Sequence, residues 1–154
     1  MTRPDEHPWS RTSTFEELRA RWRQGDVPGR VRLLFLSPTA FAGRDASTLF
    51  PLPALVFGSL VRRWNQHAPE PFAPSVRDSL LGTIREEAHE LHTFPIEFGT
   101  HRLKGFVGVC EYSAHQGAPA EVSRVVQTLA DFAFYSGVGL TTTMGMGQVI
   151  CEQQ

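Results

Sequence analysis

The sequence lacks several features that would assign it to a class at once. Of its 154 residues only two are cysteines, Cys110 and Cys151, which is too few for a disulfide scaffold, so a reducing cytoplasm is the expected location. No window holds 18 uncharged apolar residues and the first ten residues are polar, so neither a membrane-spanning helix nor a signal peptide is expected. Only one lysine, Lys104, accompanies the arginines, and the formal net charge of -1 gives no sign of a nucleic-acid partner.

The composition is that of a globular protein. Hydrophobic residues make up 41% and charged residues 20%, which excludes disorder and collagen-like repeats as descriptions of the whole chain. The length predicts one domain with an arm, and we place the boundary at Gly29. Residues 1–29 are expected to form an N-terminal arm with a short helix, and residues 30–154 the domain itself.

The predicted elements follow the hydrophobic pattern. Ser13 and Glu16 have capping-box spacing ahead of a short helix that reaches Trp22. An apolar run at 31–37 predicts a strand, and a helix is expected from Pro53 to about Asn65. A further helix is expected from Ser75, on which four apolar residues recur every four positions: Val76, Leu80, Ile84 and Ala88.

The second half of the chain predicts a hairpin, a helix and a final strand. Strands are expected at 91–98 and 104–112, a helix at 118–135 that ends with Gly137 as a left-handed cap, and a last strand at 148–151. The resulting order is that of an α+β, ferredoxin-like or RRM-like βαββαβ fold, with an antiparallel sheet of four strands in the order 4-1-3-2 and helices on one face. Cys110 and Cys151 then lie on strands that are not neighbours.

A glycine-rich segment at 137–147 is the most distinctive motif. It reads GVGLTTTMGMG and has the form G-h-G-x5-G-h-G, with h apolar. It is neither a P-loop nor a dinucleotide-binding loop, because it has no G-K-[ST] and it runs from a helix into a strand. An anion here would have to bind backbone N–H groups beyond the negative helix end, with help from the threonine hydroxyls.

This segment resembles the C-terminal glycine-rich signature of the RAMP superfamily, in particular of the CRISPR-associated Cas six endoribonucleases. Other similar stretches lie at 35–41, 52–53, 57–60, 63–65, 105–108 and 132–136, so the resemblance spans most of the chain. The stretch from His7 to Ser10 also looks like the segment that joins the two domains of that family. In many members a lysine stands in the middle of the loop, where this chain has Thr141, Thr142 and Thr143.

The resemblance implies binding of CRISPR repeat RNA and metal-independent processing of pre-crRNA. In that reaction the 2'-OH attacks the adjacent phosphate, leaving a 2',3'-cyclic phosphate and a 5'-OH. The family's catalytic histidine is usually in an N-terminal domain, whereas this chain matches the C-terminal one, so its own activity is left open and no catalytic residue is carried over. The implied partners are the RNA, a missing N-terminal domain and other CRISPR effector subunits, with no cofactor, no metal and no membrane.

The candidate RNA-binding residues fall in the loop, a basic turn and a helix end. They are Gly137, Gly139, Thr141, Thr142, Thr143, Gly145, Gly147, His101, Arg102, Lys104, Arg62 and Arg63. The other five histidines are interpreted as surface residues: His7, His67, His89, His92 and His115. The stretch from His89 to His92 does not have the spacing of a zinc protease motif.

Two alternatives to an RNA-processing role remain open. One is a RAMP protein that binds RNA and does not cut it. The other is a ferredoxin-like domain that senses a ligand and has no RNA role.

Overall fold

An antiparallel sheet of four strands forms the centre of the fold. The computed structural model describes residues 12–152, apart from the side chains of Phe98 and His101. The strands are β1 (Arg30–Thr39), β2 (Ile84–Phe98), β3 (His101–Ala114) and β4 (Val149–Glu152), in the order β2-β3-β1-β4. The helices are α1 (Phe15–Ala20), α2 (Pro53–His67), α3 (Pro74–Thr83) and α4 (Ala120–Ser136). The predicted fold class and strand order are therefore confirmed.

One face of the sheet carries the core. Val31, Leu33 and Phe35 alternate along β1 and are at most 2% exposed, whereas Leu36, between them and the strand end, is 37% exposed. The same alternation buries Phe106, Cys110 and Tyr112 on β3 against apolar side chains of α2 and α4. Within residues 12–152 no helix is both long and apolar enough to cross a membrane.

The two cysteines lie on strands that are separated by β1. Leu33 pairs with Cys110 on one side and with Cys151 on the other, and both cysteines are free thiols. Burial raises the pKa of each thiol to about 11, because the thiolate would lose its hydration.

The boundary between α3 and β2 differs from the prediction. The helix ends at Thr83, and Ile84 and Ala88, which were expected on the helix, belong to β2. The ladder with β3 begins at the pair Ile84–Ala114 and crosses a bulge between Glu86 and Ala88. Gly82 and Thr83 are poor helix formers, so the strand pairing and the burial of Ile84 prevail over the four-residue periodicity.

The short helix α1 packs onto the helix layer. Its capping box is formed by Thr14 and Glu17, one residue later than predicted, with both reciprocal hydrogen bonds at 3.1 Å. Phe15 contacts the rings of Trp64 and Phe132, with centroids 5.0 and 5.6 Å away. The stretch from His7 to Ser10 lies outside the described residues, and the division at residue 29 stays a prediction.

Candidate nucleic-acid interface

The glycine-rich loop begins with a backbone conformation that only glycine adopts freely. Gly137 has φ +67° and ψ 178°, and its N–H donates to the Ala133 carbonyl at 2.9 Å, which ends α4. The predicted positive φ is confirmed, but the extended ψ differs from a left-handed cap and turns the chain directly into the loop.

The glycines of the loop serve two different purposes. A Cβ at Gly139 would lie 2.3 Å from the Ala40 carbonyl oxygen, and one at Gly147 would lie 1.9 Å from that of Val138. At these two positions the close approach is made by the protein's own backbone, not by a second molecule. Gly145 is different, because its φ is +89° and no atom lies within 4 Å of a Cβ built there. Of these three, only Gly145 leaves its surface free for a ligand.

The end of β1 holds the loop in place. The Leu140 N–H donates to the Ala40 carbonyl at 2.9 Å, and the Gly147 N–H donates to the Pro38 carbonyl at 3.0 Å. Two further bonds close the loop on itself and on the strand, from Val138 to Gly147 and from the Gln148 N–H to the Ser37 hydroxyl. The loop is thus attached to the end of β1 mainly by backbone hydrogen bonds.

The three threonines form the outer bend of the loop. Thr141 is the only non-glycine residue with a positive φ (58°) in the described chain, and a single 3-10 turn from Thr142 to Met144 follows it. A left-handed residue ahead of a right-handed turn directs successive N–H groups to one side, which is the geometry of an anion-binding nest. In residues 12–152 no acceptor meets the N–H groups of Thr142 and Thr143. An anion site at this bend stays a prediction.

The two neighbouring arginines of α2 are placed differently. Arg63 is half-buried and donates to the Ser136 carbonyl at 2.8 Å and to the Gly139 carbonyl at 2.5 Å. Burial, together with the charge of Arg62, lowers the pKa of Arg63. Arg62 is exposed and has no hydrogen-bond or ion-pair partner among the described residues. Arg63 thus positions the loop, whereas Arg62 is available to a ligand.

Strands β2 and β3 extend past the rest of the sheet as a two-stranded ribbon. β1 pairs with β3 only as far as Phe106, whereas the β2–β3 ladder continues to the pair Phe98–His101. The exposed Arg102 lies opposite Glu97, with Nε and Oε1 3.4 Å apart, so part of the expected positive charge of this turn is offset. Lys104 is also exposed.

The base of this ribbon meets the strand end that holds the loop. A Cβ at Gly105 would lie 2.7 Å from Pro38 Cβ and 3.0 Å from the Thr39 nitrogen. Residues 38–40 therefore contact both the glycine-rich loop and the ribbon next to Lys104. Two parts of the candidate site, far apart in the chain, come together at one end of the sheet.

The histidines are dispersed. His89 and His92 pair with Cys110 and Val107, which point to opposite faces of β3, so the two rings cannot share a metal ion. His89 Nδ1 lies 2.6 Å from the Glu86 carboxylate, and within residues 12–152 no three His, Cys, Asp or Glu side chains are grouped as metal ligands. His67 lines an open cleft with Tyr135 and Thr142. His7 and the His101 side chain lie outside the described part of the structure.

A second cleft lies on the other side of the loop, and sequence reasoning did not find it. Leu55, Gly58 and Arg62 of α2, Arg77 of α3 and Leu140 of the loop contribute to its walls. Its sequence signal is Gly58, a glycine in the interior of α2.

The fold and the loop define a ferredoxin-like α+β protein with a C-terminal glycine-rich loop at the end of its sheet. The family model for the CRISPR-associated endoribonuclease Cas6 matches residues 33–149, and the chain belongs to this family. Among curated relatives, the Cas6 of Streptococcus thermophilus is 26% identical over 126 residues, and that of Mycobacterium tuberculosis is 30% identical over 122 residues. These alignments cover 79% and 78% of this chain but only 50% and 38% of the relatives.

Solved structures give the same picture. The Cas6 (TTHA0078) product complex superposes with a TM-score of 0.85 at 34% identity, over 96% of this chain and 59% of that one. Thermus thermophilus Cas6 (TTHB231) superposes with a TM-score of 0.84 at 27% identity, over 96% of this chain and 62% of that one. The chain thus spans between about two-fifths and three-fifths of the length of these relatives.

Proposed function

We propose that this chain binds CRISPR repeat RNA and forms the RNA-holding, C-terminal half of a Cas6-type endoribonuclease. The observation that carries the proposal is the meeting of the glycine-rich loop and the ribbon at residues 38–40, in a member of the Cas6 family. Solved relatives at 34% identity include a product complex and a substrate mimic complex, which supports a ligand-binding role.

The loop supplies the phosphate contacts in this proposal. The free N–H groups of Thr142 and Thr143, together with the adjacent hydroxyls, donate hydrogen bonds to a phosphate oxygen. Gly145 lets the RNA strand pass close to the loop backbone. The ribbon binds the RNA through Arg102 and Lys104, and through His101, whose RNA contact is predicted from the sequence. Gly137, Gly139, Gly147 and Arg63 contribute by fixing the conformation of the loop.

The proposed reaction is attack of a ribose 2'-OH on the adjacent phosphate. It requires a base for the hydroxyl, an acid for the leaving 5' oxygen and cations for the phosphorane, without a metal ion or a cofactor. We assign no residue of this chain to the base or the acid. The partners in the proposal are an N-terminal Cas6 domain and other CRISPR effector subunits, in a cytoplasm that keeps Cys110 and Cys151 as thiols.

An electrophoretic mobility shift with a CRISPR repeat hairpin tests the binding part. We expect a complex at low salt and a steep loss of affinity as salt rises, because phosphate contacts release counterions. A scrambled RNA of equal length is the control. The absence of any complex at low salt would refute the proposal and would favour a ligand-sensing role.

A cleavage assay in EDTA tests the catalytic part. If the chain acts alone, product with a 2',3'-cyclic phosphate appears without added metal. If RNA is bound but stays intact until a Cas6 N-terminal domain is added, the chain is the binding half. RNA that is bound and never cut under either condition would identify a RAMP protein with a binding role only.

A further inference from the structure

Helix α2 carries a glycine that the fold does not require. Gly58 lies in the interior of α2, has an ordinary helical φ, and has no atom within 4 Å of a Cβ built on it. Glycine in a helix interior is less stable than alanine, and a Cβ would fit at Gly58, so stability by itself does not explain this glycine. Its effect on the surface is to leave a notch at which another molecule can reach the helix backbone.

The notch lies in the cleft between α2, α3 and the glycine-rich loop. Leu55, Gly58 and Arg62 are three and four residues apart and therefore share the outer face of α2. Leu140 and Gly139 form the wall opposite, so the cleft is continuous with the candidate interface. Its volume of about 640 Å3 is in the range of ligand-binding clefts.

A buried hydroxyl in the lining lacks a partner. Ser59 is 9% exposed, and its Oγ has no hydrogen-bond partner among the described residues. That oxygen is closed to solvent, so a ligand could reach it only after a shift of the cleft lining.

The charge of the cleft is positive. No aspartate or glutamate of the described chain lines it. Arg62 is unpartnered, and Arg77 has only its sequence neighbour Asp78, at 3.7 Å and mostly exposed. Two arginines at the edge of an apolar floor favour a ligand with an anionic group and a flat apolar part.

We infer that this cleft binds one unpaired nucleotide of an RNA strand. The base rests on Gly58 and Leu55, and Arg62 and Arg77 hold the phosphodiester. The inference rests on the proposed function, because the strand would pass from the cleft directly to Gly139 and the loop. It adds a single-stranded contact to the repeat hairpin.

Fluorescence anisotropy with two labelled RNAs tests the inference on the full chain. One RNA is the repeat hairpin alone, and the other is the same hairpin with a single-stranded flank. Gly58→Leu fills the notch, and Gly82→Leu is the matched control, since Gly82 also lies in a helix with no atom within 4 Å of a Cβ. We expect Gly58→Leu to weaken binding of the flanked RNA about tenfold, which corresponds to a loss of about 1.4 kcal/mol, with hairpin binding unchanged.

Several outcomes would overturn the inference. Equal affinity of Gly58→Leu and Gly82→Leu for the flanked RNA, both folded by circular dichroism, would do so, as would an equal loss for both RNAs. If Gly58→Leu does not fold, Arg77→Ala replaces it, with Arg44→Ala as the exposed control, and must show the same selective loss.

The source of the nucleotide is tested with AMP alone. AMP that binds as tightly as the flanked strand, and is displaced by neither RNA, would overturn the assignment to a strand in favour of a free nucleotide. Failure of the wild-type chain to bind either RNA would refute the proposed function itself. RNA binding that no cleft variant alters would refute only the present inference.

Discussion

Replacing Gly139 or Gly145 by alanine separates the two purposes of the loop glycines. Both residues have a positive φ, +81° and +89°, so alanine carries a similar backbone penalty at each, about 1–2 kcal/mol. Only at Gly139 does the new Cβ meet the backbone, 2.3 Å from the Ala40 oxygen. Relieving that contact requires a shift of the strand end or of the loop, and overpacking of this kind costs about 1–3 kcal/mol.

The expected free energies of unfolding follow from these terms. Gly145→Ala should lower the stability by about 1–2 kcal/mol, and Gly139→Ala by about 2–5 kcal/mol. The gain that alanine gives by restricting the unfolded chain is the same for both and does not affect the difference. The difference of about 1–3 kcal/mol measures the clash with Ala40 alone.

Urea unfolding measures this difference. Trp64 is 1% exposed in the core and provides the fluorescence signal. With a slope of about 1–3 kcal/mol per molar, the midpoint of Gly139→Ala should lie about 1 M below that of Gly145→Ala. Equal midpoints, or a lower midpoint for Gly145→Ala, would show that the loop does not pack on β1 as described.

Three further predictions concern residues around the loop and the ribbon. Arg63→Ala should lower the free energy of unfolding by about 1.5–3 kcal/mol, because two loop carbonyls lose their hydrogen-bond donor. Arg62→Ala should change it by no more than about 0.5 kcal/mol and should lower RNA affinity. Urea unfolding and fluorescence anisotropy measure these effects, and equal stability losses for the two variants would contradict the prediction. Glu97→Gln removes the ion pair with Arg102, so it should raise RNA affinity and leave the free energy of unfolding unchanged. The decrease of RNA affinity with salt concentration should be at least as steep as in the wild type. Unchanged affinity would argue against an RNA contact at Arg102. The thiols of Cys110 and Cys151 have pKa values of about 11 in the folded chain and 9.0 in the unfolded chain, so their contribution to stability is full below pH 9.0 and is lost as pH rises through about 11. A Cys110→Ala, Cys151→Ala double variant should therefore lose less stability over that pH range in urea unfolding. A profile identical to that of the wild type would refute the pKa shift.

Sequence patterns predicted the elements whose burial is periodic. On α4, Val122, Val126 and Leu129 follow the helical spacing and are all at most 2% exposed, so local pattern and tertiary packing agree. On α3 the pattern continued to Ile84 and Ala88, but pairing with β3 begins at Ile84. Pairing with a distant strand is not encoded in a four-residue repeat, and this is why that boundary was wrong.

The candidate site was predictable as a list of residues but not as a geometry. The spacing of the glycines identified the loop, yet nothing local distinguishes Gly139, which faces Ala40, from Gly145, which faces solvent. Arg62 and Arg63 are likewise adjacent in the chain, yet Arg63 donates hydrogen bonds to the loop whereas Arg62 has no partner among the described residues. In each case the distinction depends on a carbonyl from another element, and its position is set by the fold as a whole.

The attachment of the loop and the ribbon to residues 38–40 has a consequence for the entropy of binding. A strand that contacts both parts meets two surfaces whose separation is already fixed by the backbone of β1. It therefore does not have to immobilise two independent loops, a cost that would otherwise be subtracted from its affinity. The ordering is completed when the chain folds, at residues 38–40, where β1 ends.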